Sequence, residues 1–436
     1  MASYLETLNY IFNLRGGEID LRLNRLAQIL SLFGHPERCF RAFHIAGTNG
    51  KGSTAAILHS ILCAQGYRVA LYTSPHVVAF TERIRVNDQE ITAEEVVELA
   101  EDIRARSLGA DISLTFFEFV TVMALVYFGR CKVDVAVVEV GLGGRLDATN
   151  LVAPEVSIVT TISKDHEVYL GSSLHSIAQE KGGIIKAGVP VIIGSMPPAA
   201  AATLEAMAQA KGSESYFFGR DFSVGFTEDG LFDYEGPRWN LMDLSLALRG
   251  IYQRFNAAVA LAALEVTHRD FPVSERAVRE GLERVIWPAR FEVILDHPRV
   301  ILDGAHNSQG IKALTKELRN FLGGKRVRLL FGAMKDKDWS EMLHELSKVS
   351  SEVLLTRVPM ERSADPRDLI SAVPADLPVA VIEDPAEAIA SLIGCVGEDQ
   401  NILVTGSLYL SGHVRPLLLR MRVSETMETG VPQAGS

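Results

Sequence analysis

Residues 44–54 read His-Ile-Ala-Gly-Thr-Asn-Gly-Lys-Gly-Ser-Thr. Two glycines flank Lys51, and hydroxyl residues follow at Ser53 and Thr54. A glycine turn can wrap a phosphate in backbone N–H groups while a lysine offsets its charge. An apolar run from Phe43 leads in and a helical pattern from Thr54 leads out, so the stretch reads as a phosphate cradle between a strand and a helix. It departs from the usual GxxxxGK[ST] pattern at two places. Ile45 stands where the first glycine belongs, with Gly47 two places later. Gly52 takes the position of the metal-binding hydroxyl, so a magnesium ion there needs a ligand from elsewhere. The cradle alone leaves three uses of phosphate open: a switch, a phosphorylated product, or an activated intermediate in another reaction.

Four further places carry chemistry. Thr73, Ser74 and His76 follow an apolar run and offer hydroxyl and imidazole ligands. Glu139 sits near the end of the apolar run 133–140, where a lone acid is costly unless it is paired or metal-bound. Acids so placed often face the metal ion of a bound nucleotide. Asp165 and His166 lie in a loop after another strand, where ligands gather. Lys181 falls on a helical pattern, and its local sequence favours an ordinary surface lysine. A lone loop histidine such as His166 is, by the same standard, more often simply solvated. Residues 141–146, Gly-Leu-Gly-Gly-Arg-Leu, resemble a dinucleotide fingerprint only superficially, because Leu146 replaces its third glycine.

The elements that must position these residues alternate. Strand patterns at 41–46, 68–72, 133–140, 156–161 and 189–193 are interleaved with helical ones at 54–65, 93–106, 116–129 and 174–187. That alternation predicts a mainly parallel sheet covered on both faces. Residues 1–38 read as helical with a break at Gly16-Gly17, residues 213–250 as a small β-rich patch, and 252–266 and 274–285 as helices. Pro288 marks a hinge, after which strand–helix alternation resumes. The expected fold is therefore α/β: residues 1–288 form an ATPase-like domain with a mainly parallel sheet, and residues 289–423 a second, Rossmann-like α/β domain. An aperiodic tail, expected to be disordered, covers 424–436.

Composition narrows the function. The 436 residues are 47% hydrophobic and 22% charged, which suits a globular protein of two or three domains. The formal net charge is −11 and no long Lys/Arg run occurs, which argues against a general nucleic-acid or anionic-membrane surface. The four cysteines (Cys39, Cys63, Cys131, Cys395) are scattered and read as free thiols in a reducing compartment. The first residues lack the basic start and apolar core of a signal peptide, so a cytoplasmic location is expected.

Thirteen blocks in order extend this reading. They include "AGTNGKGS" (46–53), "YTSPH" (72–76), "ERIRVN" (82–87), "FFEFVT" (116–121), "VEVGLGGRLDATN" (138–150) and "DHEVYLG" (165–171). "EKGGIIKAGVPVI" (180–192), "WPARFE" (287–292), "LDGAHN" (302–307) and "VTGSLY" (404–409) follow. The ordered set resembles the folylpolyglutamate synthase and dihydrofolate synthase branch of the Mur-ligase superfamily. The resemblance implies an ATP-dependent ligase that phosphorylates a carboxylate of a folate, or of dihydropteroate, and joins L-glutamate to it as an amide. It implies that Gly47, Thr48, Asn49, Gly50, Lys51, Gly52 and Ser53 cradle ATP phosphates. It implies magnesium on Ser74, Glu139 and His166, and a carbamate on Lys181 that joins them as a ligand. Lys51, Lys181 and His166 would be the catalytic set. Asn256, Arg290, Asp303 and His306 match nucleotide contacts at the hinge and in the second domain, whose closure would complete the site. Ile19, Asp20, Leu21 and Arg22, Phe116, Phe117, Glu118 and Phe119, and Leu146, Asp147 and Ala148 align with pterin-side segments. Arg22 and Gly182 depart from the family pattern. A monomer is expected, with folates or dihydropteroate and glutamate as its partners. The nearest competing reading is a cell-wall Mur ligase acting on a UDP-linked carboxylate, which usually carries GKT[ST] in place of Gly50-Lys51-Gly52-Ser53. A non-catalytic nucleotide switch is a further alternative, and has no need of a metal histidine or a special lysine.

Overall fold

The computed structural model describes residues 2–14, 23–165, 167–227, 229–395, 397 and 400–429. They fall into two compact units, Met1–Ala247 with Gln253–Ile286, and Leu248–Tyr252 with Trp287–Ser436.

The first unit is built on eight strands: β1 Arg41–Ala46, β2 Val69–Tyr72, β3 Ile84–Val86, β4 Gln89–Glu90, β5 Val135–Glu139, β6 Pro154–Val159, β7 Val191–Ile193 and β8 Ser215–Phe217. Their order is β4-β3-β2-β5-β1-β6-β7-β8. Only the β2–β3 and β3–β4 pairs are antiparallel. The central strands β1, β2 and β5 are almost wholly buried, as their β-branched and aliphatic runs require of a sheet covered on both faces. Register places the strand ends. Ile45 pairs with Glu139, and Ala46 pairs with Val159. The ends of β5 and β6 therefore flank the chain as it leaves β1 for the glycine turn.

The helix Lys51–Gln65 leaves that turn through Gly50 in the left-handed region, φ 85°, and is stopped by Gly66 in the same region. The helix Phe116–Cys131 starts in a reciprocal cap between Thr115 and Glu118, and nearly all of its next ten residues are buried. The expected β-rich patch divides. Its first strand, β8, joins the large sheet beside β7. The rest forms a three-stranded antiparallel sheet of β9 Ser223–Phe226, β10 Phe232–Glu235 and β11 Asn240–Leu244. Buried Glu265 fastens it to the helix Ile251–Val266, accepting from Tyr234 Oη at 2.6 Å and Trp239 N at 2.7 Å.

The second unit carries β12 Glu292–Asp296, β13 Arg299–Leu302, β14 Val327–Phe331, β15 Ser350–Leu355, β16 Val379–Val381 and β17 Asn401–Thr405, in the order β12-β13-β17-β14-β15-β16. All neighbours are parallel except β12 and β13. Alternate residues of β14 face opposite cores. Val327, Leu329 and Phe331 pack with helices Ser308–Phe321 and Trp339–Ser347, and Leu330 packs with the helices from Pro385 and Leu408. The last helix, Leu408–Thr429, runs through residues 424–429 of the tail expected to be disordered. These residues extend an existing helix and so need no new nucleus. No helix among the described residues is long and apolar enough to cross a membrane.

Candidate active site

The glycine turn is tied to the chain that leaves β6. Thr48 N donates to Thr161 O at 2.8 Å, and Asn49 N to Thr161 Oγ1 at 3.0 Å. Thr160 Oγ1 donates to Asn49 O at 2.7 Å, and Thr48 Oγ1 donates to Ser163 O at 3.1 Å. Two glycines are required here. A Cβ on Gly47 would overlap Thr160 Oγ1, and one on Gly50 would overlap Asn256 Oδ1. Thr160, Thr161 and Ser163, which hold the turn, are residues that sequence reasoning missed. Their signal was a run of hydroxyl residues immediately after an apolar strand.

Two lysines converge on this turn. Lys51 Nζ donates to Gly47 O and Thr48 O, each at 3.1 Å. Lys181 Nζ, from the helix Leu174–Gly182, donates to the same Gly47 O at 2.9 Å. Lys181 is only 5% exposed, contrary to the surface position its local sequence suggests. Burial, helped by the Lys51 charge and opposed by Asp165 and Asp147, pulls its amine down to about 7. The helix is also tightly seated. A Cβ on Gly182 would stand 2.7 Å from both Leu204 Cδ2 and Met207 Sδ, so the glycine lets it approach the helix Pro198–Ala210. That is a packing reason for the departure at Gly182.

Glu139 is buried at the end of β5 and accepts from Ser74 N at 3.2 Å. Ser74 is thereby held beside the acid with which the family resemblance groups it. His76 is engaged elsewhere, its Nδ1 accepting from Arg83 Nε at 2.8 Å. Burial and the Arg83 charge lower its imidazole to about 4, so it is neutral. His166 lies outside the described residues. Among the described residues no three His, Cys, Asp or Glu side chains group to hold a metal ion. Glu139 and the Ser74 beside it offer oxygen donors, which suit magnesium.

The pterin-side candidates are divided. Ile19, Asp20, Leu21 and Arg22 lie outside the described residues. Phe116 stacks on the ring of Phe12, 5.5 Å between centroids at 16°, with the Arg83 guanidinium over it. Phe117 lies against Tyr72 and Gly141. Glu118 forms a two-pronged ion pair with Arg25, at 2.9 Å for each bond. Phe119 is buried in the core, edge-on to Tyr10. Leu146 is half-buried, and Asp147 and Ala148 are buried. Asp147 accepts from Leu142 N and from Thr149, closing the turn between them.

In the first unit Asn256 donates through Nδ2 to Gln253 Oε1 at 2.9 Å and backs Gly50. In the second unit Asp303 is buried and accepts from Phe291 N and Ala305 N, both at 2.8 Å. Burial raises its carboxyl above the ordinary value, against the pull of Arg290. Ala289 and Phe291, on either side of Arg290, have φ of 54° and 49°. Such angles cost a non-glycine residue about 1–2 kcal/mol each. Arg290 lies next to Gly304, where a Cβ would overlap its guanidinium. His306 is fixed through Nδ1 on Gly304 O at 2.9 Å.

Comparison with known proteins places the whole chain. Residues 45–264 match the Mur ligase middle domain, and 289–408 the Mur ligase, glutamate ligase domain. The chain is 37% identical to folylpolyglutamate synthase of Lacticaseibacillus casei, over 96% of this chain and 99% of that protein. The structure of Escherichia coli FolC in complex with DHPP and ADP superposes with a TM-score of 0.89 at 34% identity, covering 97% of this chain and 99% of that one. The bifunctional folylpolyglutamate synthase/dihydrofolate synthase of Yersinia pestis, complexed with AMPPNP and Mn ion, gives a TM-score of 0.87 at 33% identity. It covers 96% of this chain and 98% of that one.

Proposed function

We propose how the residues of this chain, which belongs to the folylpolyglutamate synthase/dihydrofolate synthase family of the Mur ligases, divide the work of one reaction. The chain is an ATP-dependent ligase that adds L-glutamate to folates. A carboxylate is a poor acyl donor, because its leaving group would be oxide. A carboxylate oxygen of the folate attacks the γ-phosphorus of ATP, and ADP leaves. The glutamate nitrogen then attacks the acyl carbon, phosphate leaves, and the nitrogen gives up a proton as the amide forms. No protein nucleophile is needed, so the chain contributes positioning and charge stabilisation.

Residues Gly47 to Ser53 hold the phosphates of ATP, and Lys51 swings from its two backbone carbonyls onto them. Arg290, Asp303, His306 and Asn256 contact the nucleotide. Ser74 and Glu139, with His166 and a modified Lys181, hold the divalent metal. When bound, magnesium spreads the negative charge of the phosphates and of the leaving ADP. Lys181 carries a carbamate: its amine attacks carbon dioxide, loses a proton, and becomes an anionic carboxylate. Only the neutral amine can do this, and an amine near 7 is substantially neutral at physiological pH. The product removes the repulsion between two ammonium groups that share one carbonyl. Dihydropteroate is proposed as a second acceptor of glutamate on the same site, in line with the bifunctional name of the Yersinia pestis relative.

The observation that carries this reading is the convergence of Lys51 and Lys181 on Gly47 O, beside the strand that ends in Glu139. The test is ADP release by the purified protein. Sustained release is expected only with ATP, a reduced folate or dihydropteroate, and glutamate together. Release that ignores folate and glutamate but follows a UDP-linked carboxylate would reject it.

A further inference from the structure

A buried polar chain runs through the first unit and ends on Asp147, one of the pterin-side candidates; its other two members have no part in the steps above. It links His44 on β1, Thr149 and Asp147, all of them buried. His44 Nε2 lies 2.9 Å from Thr149 Oγ1, which lies 2.5 Å from Asp147 Oδ1. Asp147 also accepts from Thr149 N at 3.0 Å and from Leu142 N at 2.9 Å.

The polarity of the chain is set at Asp147. His44 Nδ1 is buried without a partner in either tautomer and does not decide between them. The two oxygens of Asp147 accept from the backbone N–H groups of Thr149 and Leu142, and the 2.5 Å contact takes up the Thr149 hydroxyl proton, so that hydroxyl can only accept from His44. The single proton of this neutral ring therefore sits on Nε2 and is donated to Thr149 Oγ1. Burial, with the charge of Lys186 behind it, holds the imidazole neutral by lowering it to about 3.

Asp147 fixes the turn that follows Glu139. Gly141 packs against the Phe117 ring. A Cβ on Gly144 would stand 2.8 Å from Lys181 O and 2.9 Å from Glu180 O. Arg145 N donates to Glu180 O at 2.8 Å, and Asn150 Nδ2 donates to Arg145 O at 2.9 Å. This turn is the wall on which the end of the Lys181 helix rests.

We propose that His44 and Thr149 are positioning residues for the ligation: their one-way donor chain fixes Asp147, and through it the turn that sets Lys181 relative to Glu139. The inference rests on Lys181 and Glu139 being site residues, a reading that Lys181→Ala and Glu139→Gln test separately.

The experiment compares variants of the full chain that keep or lose one donor. Glutamine places an amide N–H near the imidazole Nε2 position, and asparagine places it near Nδ1. His44→Gln and Thr149→Ser should keep kcat within about threefold of the parent. His44→Asn and Thr149→Val should lose about tenfold or more, the usual effect of removing a partner behind a site residue. The KM for ATP should stay within about twofold and Tm should match within each pair, because the bonds of the glycine turn do not pass through Thr149. The double variant His44→Asn/Thr149→Val should be no worse than the poorer single one, since both break one chain. If the harsher variants fail to fold, nitrogen-15 NMR of the parent still decides: His44 must be the neutral Nε2–H tautomer between pH 5 and 9. Equal kcat for Gln and Asn, additive losses, or an Nδ1–H tautomer overturns the proposal. If Lys181→Ala or Glu139→Gln stays active, the site reading falls and takes the inference with it. If those two are inactive while Gln and Asn match, the inference alone falls.

Discussion

Replacing Lys181 by methionine removes a charge while keeping most of the side-chain volume, and the consequence for stability depends on pH in a calculable way. In the unfolded chain the amine titrates near its ordinary 10.5, and in the folded chain near 7. Between those values the unfolded state binds the extra proton. Lowering the pH through that window therefore favours unfolding of the parent, by about 1.4 kcal/mol per pH unit. Over the full window of some 3.5 units this approaches about 5 kcal/mol. Methionine does not titrate. Its lost bond to Gly47 O is a constant offset. The stability of Lys181→Met relative to the parent should thus rise as pH falls from about 10 to about 7, and then level off. Urea unfolding at half-unit steps from pH 6.5 to 9.5, in carbon-dioxide-depleted, metal-free buffer, reads this directly. A shift of about 1 kcal/mol is expected between pH 8.5 and 7.5, a little under the limiting slope because the folded amine begins to protonate there. A flat difference across that interval would refute the reasoning, because Lys181 would then titrate where an ordinary lysine does.

Lys51→Ala should abolish amide formation with little change in Tm, since the bonds Lys51 makes among the described residues are to carbonyls of its own turn; near-normal turnover at saturating ATP would count against it. Glu139→Gln keeps the shape but removes the anion, so activity should fall about a hundredfold or more and the magnesium requirement should rise; an unchanged magnesium titration would reject the assignment. Gly50→Ala forces a Cβ into φ 85° and onto Asn256. It should cost about 1–2 kcal/mol for the backbone alone, and Asn256→Ala in the same chain should recover the steric part, as read by urea unfolding. Replacing Arg290 by alanine should raise the ATP needed for half-maximal rate, measured by ADP release at fixed folate and glutamate.

Much of this architecture was legible because burial leaves a pattern. Runs such as Val135–Val138 are apolar at successive positions when both faces of a strand are covered, and the helix Phe116–Cys131 showed itself in the helical pattern at 116–129. The strands β3, β4 and β12 left no such pattern. They are short and pair antiparallel with a neighbour or at a sheet edge, so little apolar sequence is needed to hold them. Lys181 shows the deeper limit. Helical periodicity in "HSIAQEKGG" places it by a polar glutamate and glutamine, and nothing local says that its amine reaches a glycine turn 134 residues earlier. Only the ordered family blocks pointed to it. The chain through His44 and Thr149 is likewise invisible, because its members lie on separate elements that meet only through the parallel sheet.

The carbamate on Lys181 is tested most directly by carbon-13 NMR of the full-length protein with labelled bicarbonate and magnesium, run in parallel with the glutamate-ligation rate. One carbamate resonance is expected, present in the parent, absent from Lys181→Ala, and rising in step with activity as bicarbonate is restored to a depleted sample. A fully active, magnesium-loaded parent with no such resonance would contradict the assignment.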